Sequence, residues 1–65
     1  MRVTYDQETD TLVITLKTAR IQKSDELQPG IIIDFGYDGE IVRFEILRAS
    51  QTVDRATEMQ FAVEA

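Results

Sequence analysis

"IIIDFGYDGEIVRFEIL", residues 31 to 47, decides the fold. Two runs of alternating apolar residues flank Asp38-Gly39, a dipeptide that favours a tight hairpin turn when strands lie on either side. Read as a two-residue type I′ turn, with positive φ at both central residues, it pairs Tyr37 with Glu40. Counting back, Phe35 meets Val42, Ile33 meets Phe44 and Ile31 meets Ile46, so every apolar pair falls on one face. On the other face Asp34 sits opposite Arg43, an opposite-charge pair worth about 0.2–1 kcal/mol. A slip of one residue would turn every side chain to the wrong face, so turn chemistry and hydrophobic pattern specify the same register.

A second hairpin precedes it. In "VTYDQETDTLVITL", residues 3 to 16, Val3 and Tyr5 alternate with Arg2 and Thr4, and Leu12, Ile14 and Leu16 alternate with Val13 and Thr15. Pairing Tyr5 with Leu12 brings Val3 to Ile14 and leaves Asp6 to Thr11 as the turn. Asp6, Glu8 and Asp10 stand at alternate positions, as at the start of a calcium loop. Such a loop wants glycine at its sixth position and a bidentate glutamate at its twelfth; counting from Asp6, this chain has Thr11 and Lys17. The reading is a polar turn with no metal, Asp6 and Thr9 or Asp10 bonding local backbone N–H groups.

Thr18 to Gln28 is polar apart from Ile21 and Leu27, and reads as an extended connection, with room for a short edge strand. Pro29-Gly30 closes it with a turn. After the second hairpin, Ala49 to Thr52 reads as the end of a strand, with Ser50 or Thr52 available to cap one helical turn through Asp54 and Ala56. Thr57, Met59, Phe61 and Val63 alternate with polar residues or alanine, which is the period of a fifth strand; a helix over 53–65 is the alternative.

The expected architecture is mainly β: one domain over residues 1–65, an antiparallel meander of four to five strands built from two hairpins and a C-terminal strand or short helix. One face carries Val3, Tyr5, Leu12, Ile14, Leu16, Ile31, Ile33, Phe35, Val42, Phe44 and Ile46. No long amphipathic helix is at hand to cover it. Chains shorter than roughly 70–80 residues usually need a disulfide, a metal or a partner to fold stably. With 65 residues and no cysteine or histidine, self-association is the remaining route. A homodimer through this face is expected.

Composition narrows function further. The net charge is −5, and no Lys/Arg cluster offsets it, so phosphate backbones are repelled and nucleic-acid binding is not expected. The longest aliphatic run, Ile31 to Ile33, is far below the roughly 20 residues of a membrane helix. The N-terminus begins as a strand rather than as a signal peptide, and a cytoplasmic location is the expectation. Without histidine, Ser50 has no triad partner. Asp34, Arg43 and Glu45 form the one constellation that could bind a small ligand or do acid–base work; a surface ion-pair network is the simpler reading. No enzyme activity and no cofactor are expected.

The two quoted stretches, extended through "LQPGIIIDFGYDGEIVRFEILRAS", resemble a family of small bacterial proteins classed as a domain of unknown function. Its patterns are Y-D-x-x-x-D-x-L-x-I-x-L and P-G-x-x-[LI]-D-[YF] followed by G-x-[IV]-V-x-x-E-I-L-x-A-S. The matching residues are Tyr5, Asp6, Asp10, Leu12, Ile14, Leu16, Pro29, Gly30, Asp34, Gly39, Val42, Glu45, Ile46, Leu47, Ala49 and Ser50. The chain departs from the pattern at Gly36, where an acid is usual, and at Arg43 and Phe44, where smaller residues are common. The resemblance implies a compact sheet-rich domain without an established reaction. Some relatives look like the antitoxin halves of toxin–antitoxin pairs, which implies a small basic protein as a partner.

Overall fold

The computed structural model describes residues 1–53. It is a single antiparallel sheet of five strands: β1 (Arg2–Asp6), β2 (Thr11–Thr15), β3 (Ile21–Gln28), β4 (Ile31–Gly36) and β5 (Ile41–Leu47). One helical turn follows, α1 (Ala49–Thr52). The strand order is β1-β2-β5-β4-β3. The two expected hairpins are therefore joined through β2 and β5, and β3 extends the sheet on the far side. No helix among the described residues is long and apolar enough to cross a membrane. The strand expected from Thr57 to Val63, and most of its helical alternative, lie outside the described residues.

The registers align into rows that cross the sheet. Val3, Ile14, Phe44 and Ile33 form one row, and Tyr5, Leu12, Ile46 and Ile31 the next, both on the apolar face. Arg2, Thr15, Arg43, Asp34 and Ser24 form a row on the opposite face. The predicted pairs Val3–Ile14, Tyr5–Leu12, Ile31–Ile46, Ile33–Phe44 and Asp34–Arg43 are all present.

The turn at Asp38-Gly39 differs from the type I′ expectation. Gly39 has φ +83°, but Asp38 is not among the positive-φ residues. The Gly39 N–H donates to the Gly36 carbonyl at 3.1 Å, and the Gly36 N–H to the Glu40 carbonyl at 2.9 Å. This is a three-residue loop, a tight turn closed by one left-handed glycine. The register then shifts between Asp34 and Phe35, and Phe35 pairs with Ile41 rather than Val42. Val42 becomes the extra residue of a bulge. It lies against Gly36, where an added Cβ would come within 3.2 Å of Val42 Cγ2. Asp38 Oδ1 would be equally close, at 3.2 Å, so a side chain at this position meets two neighbours.

Two other boundaries move. Asp6 pairs with Thr11, so the first turn is four residues, Gln7 to Asp10. The segment read as a connection is an eight-residue strand, exposed at every position after Ile21 and irregular at two points of its pairing with β4. An edge strand with water on both faces has no apolar alternation to betray it. The end of β5 is corrected as well. The strand stops at Leu47, and Ala49–Thr52 is helical, entered through Arg48 at φ 50° with no side-chain cap. Ser50 and Thr52 lie inside this turn, and the expected turn through Asp54 and Ala56 lies outside the described residues.

The core is small. Val3, Leu12 and Ala49 are fully buried together, with Tyr5, Ile14, Ile46 and Val53 packed around them. α1 is thus folded over the β1–β2 half of the apolar face. Further along the sheet Ile33 and Val42 are buried, while Ile31, Phe35 and Phe44 are half-buried.

Candidate functional site

Two carboxylates each gather several hydrogen bonds, and each is placed by a different part of the fold. The first is Asp10, the last residue of the β1–β2 turn, held at φ 53°. Aspartate tolerates that left-handed conformation better than most residues. Its Oδ1 accepts hydrogen bonds from the Tyr5 hydroxyl and from the Ser50 N–H at 3.0 Å. Its Oδ2 accepts from the Ser50 hydroxyl at 2.7 Å. The Asp10 carbonyl accepts from the Ala49 N–H at 2.8 Å. Asp10 therefore fastens the first turn to the entry of α1, 40 positions away.

The expectation of purely local bonding holds for Asp6, whose carboxylate accepts from the Glu8 N–H at 3.0 Å. It fails for Asp10, because the turn brings that carboxylate under α1. The Tyr5 hydrogen bond, followed by those from Ser50, holds the Asp10 carboxyl below the usual aspartate range. The same bond raises the Tyr5 phenol. Among the described residues no group of acids is arranged to hold a metal ion.

The second carboxylate is Asp34, in the middle of β4 and only 1% exposed. Arg43 donates from Nε to Oδ2 at 2.7 Å, directly across the β4–β5 pair. The Ser24 hydroxyl donates to Oδ1 from β3. Burial alone would push the Asp34 carboxyl up. The hydrogen bonds from Ser24 and Arg43, with the guanidinium charge, outweigh that and hold it below its ordinary value. Arg43 is held protonated chiefly by its bond to Asp34, and the Glu45 charge adds to this.

The predicted constellation is thus assembled in part. Asp34 and Arg43 are in direct contact, and Glu45 stands two pairs further along, opposite Ile32. The sequence reading made this a surface network, whereas Asp34 is buried. It also omitted Ser24, because Ser24 lies on the strand that polar composition concealed. No buried side-chain nitrogen or oxygen among the described residues lacks a hydrogen-bond partner. Asp34 therefore presents a carboxylate already occupied on both oxygens, which suits fastening β3 to β4 and β5 better than turning over a substrate.

At the hairpin end, Lys17 reaches Glu40 at 2.6 Å and Asp38 at 3.2 Å, and Arg20 lies over the Tyr37 ring at 5.5 Å. These exposed pairs tie the end of β2 and the start of the connection to the second turn. The remaining predicted site is the apolar face. Val3 and Leu12 are covered there within the chain, and Leu16, just past β2, is 39% exposed. The part of the face left half-buried centres on Ile14, Phe44, Ile46, Ile31 and Phe35.

Comparison with known proteins gives one result. No curated protein and no solved structure matches the chain. Residues 2–50 match the family described as "Protein of unknown function (DUF2283)". The match begins at β1 and ends within α1, at the serine that bonds Asp10, so it takes in the whole sheet and both carboxylate clusters. By that match the chain belongs to the DUF2283 family, whose function is unknown.

Proposed function

We propose that this protein is a non-catalytic interaction module that associates with a second copy of itself through the apolar face of its sheet. The observation that supports this reading is a face whose described cover reaches only one half. α1 and Val53 pack on the β1–β2 end, and the rows through Phe44 and Ile46 continue beyond them onto β4. Those rows carry no charge from β1 through β4; the first charged residue beside them is Asp25, on the edge strand. Burying one such aliphatic or aromatic side chain is worth about 1.5–3 kcal/mol, and a contiguous apolar patch of this kind is a site of association. A neutral, self-similar face suits an isologous pair, in which one patch meets its own copy.

Chemistry supports the non-catalytic part. The chain has no histidine or cysteine, the Ser50 hydroxyl is bound to Asp10, and Asp34 is paired. The rival reading, a small-ligand site at Asp34, Arg43 and Glu45, would require a ligand to displace Ser24 or Arg43 from a buried carboxylate.

Replacing Phe44 by Asp tests the reading. The substitution puts a charge at the middle of the face in both copies, about the most damaging single change for a packed interface. Sedimentation of the wild type should give about twice the chain mass, and Phe44→Asp should shift it toward the monomer. Equal masses at all concentrations would count against the reading. A second reading, a basic protein partner of the antitoxin kind, is favoured by the charge of −5. It predicts capture of a basic protein that salt releases, while the apolar self-association resists salt.

A further inference from the structure

The loop between β4 and β5 carries a reactive dipeptide. An aspartate followed by glycine can close on itself. The glycine amide nitrogen bonds to the side-chain Cγ, the Cγ–OH bond breaks, and one water leaves with the amide proton, giving a cyclic imide. Glycine favours the step because it has no Cβ to hinder the approach. Water then opens the imide at either carbonyl. Opening at Cγ restores aspartate. Opening at the main-chain carbonyl gives isoaspartate, whose backbone runs through Cβ and whose mass is unchanged. The sequence has no asparagine, and of its aspartates Asp38 alone precedes a glycine. Asp38 is exposed, so water reaches it.

The fold engages both reacting groups. The Gly39 N–H donates to the Gly36 carbonyl at 3.1 Å. Asp38 Oδ1 accepts from the Glu40 N–H at 3.0 Å, the bond of an Asx turn. Asp38 Oδ2 accepts from Lys17 Nζ at 3.2 Å, and the same ammonium reaches Glu40 Oε1 at 2.6 Å. Lys17 stands just past β2, 21 positions from Asp38, and grips the carboxylates on both sides of Gly39. The Glu40 N–H, and after it Lys17, hold the Asp38 carboxyl below its usual range. The ionised carboxylate is the unreactive form, because ring closure expels water only from the protonated acid.

We propose that Asp38-Gly39 is a latent site of aspartate isomerisation and that Lys17 protects it, by holding the Asp38 carboxylate in its Asx turn. The consequence reaches beyond the loop. Isoaspartate adds one carbon to the main chain of a three-residue loop whose length sets the β4–β5 register. The protection goes beyond the face-to-face association and does not depend on it. The Lys17–Asp38 pair is exposed, at 36% and 57%, and such pairs add little to global stability. Losing Lys17 therefore acts on the chemistry of the loop more than on folding.

Incubation of the purified chain at neutral pH, followed by digestion and chromatography, reads the reaction at one peptide, whose elution shifts while its mass stays the same. The folded wild type should isomerise about tenfold more slowly than the same chain held unfolded in guanidinium chloride, because the folded protein reacts through opening of the loop. Lys17→Met should raise the folded-state rate about threefold, the scale of one exposed ion pair. Lys17→Arg keeps the charge and should stay at the wild-type rate. Lys23→Met removes a lysine that pairs with Asp25 on β3, away from the loop, and should also leave the rate unchanged. A Lys17→Met rate equal to that of the wild type would overturn the proposal. So would a Lys23→Met rate as high as that of Lys17→Met, or a folded wild type that isomerises as fast as the unfolded chain.

Discussion

At the β1–β2 end of the sheet the core is hydrocarbon; at the β3–β4–β5 end it is built around a charge. Leu12, Val3 and Ala49 fill the first, and the aspartate that closes it, Asp10, stands at the rim with a tyrosine and a serine as partners. In the second, the aspartate itself is buried, with a guanidinium on one oxygen and a serine on the other. Similar partners thus have different consequences. Asp10 links two segments distant in sequence while water still reaches it. Asp34 has been taken out of water, and the structure depends on its partners to offset that cost.

The difference can be broken by mutation. Leu12→Ala removes a fully buried side chain and should cost about 3–4 kcal/mol of unfolding free energy at fixed protein concentration, at every pH. Arg43→Ala should cost about 3 kcal/mol near neutrality, the low end for breaking a buried pair, because the guanidinium is 38% exposed. Its cost should shrink in acid, where Asp34 takes up a proton and no longer needs a cation. The ratio of the two costs, followed by denaturant titration from pH 7 to pH 3, separates the hydrocarbon end from the charged end.

The acid limb reads the carboxylate at each end. Asp34 and Asp10 both have folded-state pKa values below their unfolded values of about 3.9. Each therefore contributes stability that is complete above the unfolded value and is lost as pH falls through the folded one. Asp34→Asn and Asp10→Asn should each flatten the acid limb of the stability curve, because each removes a carboxylate whose folded-state pKa is lowered by its hydrogen-bond partners. An acid limb unchanged in either variant would contradict the role given to that carboxylate.

Gly39 offers a smaller, purely local effect. A Cβ there would meet nothing within 4 Å, but the backbone sits at φ +83°. Gly39→Val should cost about 1–2 kcal/mol through backbone strain alone, and thermal melts should show it at neutral and acid pH alike. At Gly36 the obstacles are Val42 Cγ2 and Asp38 Oδ1, each 3.2 Å from an added Cβ, so Val42→Ala should relieve part of the cost of Gly36→Ala and none of the cost of Gly39→Val.

What was legible in the sequence follows from the same physics. Five of the six cross-strand pairs drawn between apolar or charged residues could be counted from two turns, because alternation and turn chemistry agreed. The sixth, Phe35 with Val42, failed because Asp-Gly serves both a two-residue loop and a three-residue loop with one left-handed glycine. The sign that could have told them apart was Gly36, a residue without a side chain next to the shift. β3 was concealed by its own exposure. The Asp10–Ser50 contact was out of reach because it spans 40 residues, and a local reading assigned each residue a local task. Asp34 was found with its Arg43 partner, but its burial was not, since Ser24 belongs to the concealed strand.

The central claim is that copies of this chain complete each other's cover over the face around Phe44. The most direct test is the unfolding midpoint as a function of protein concentration. If association and folding are linked, the midpoint rises steadily with concentration for the wild type, and it loses that dependence in Phe44→Asp. A midpoint that stays constant over a hundredfold range, together with a monomeric mass, would contradict the claim.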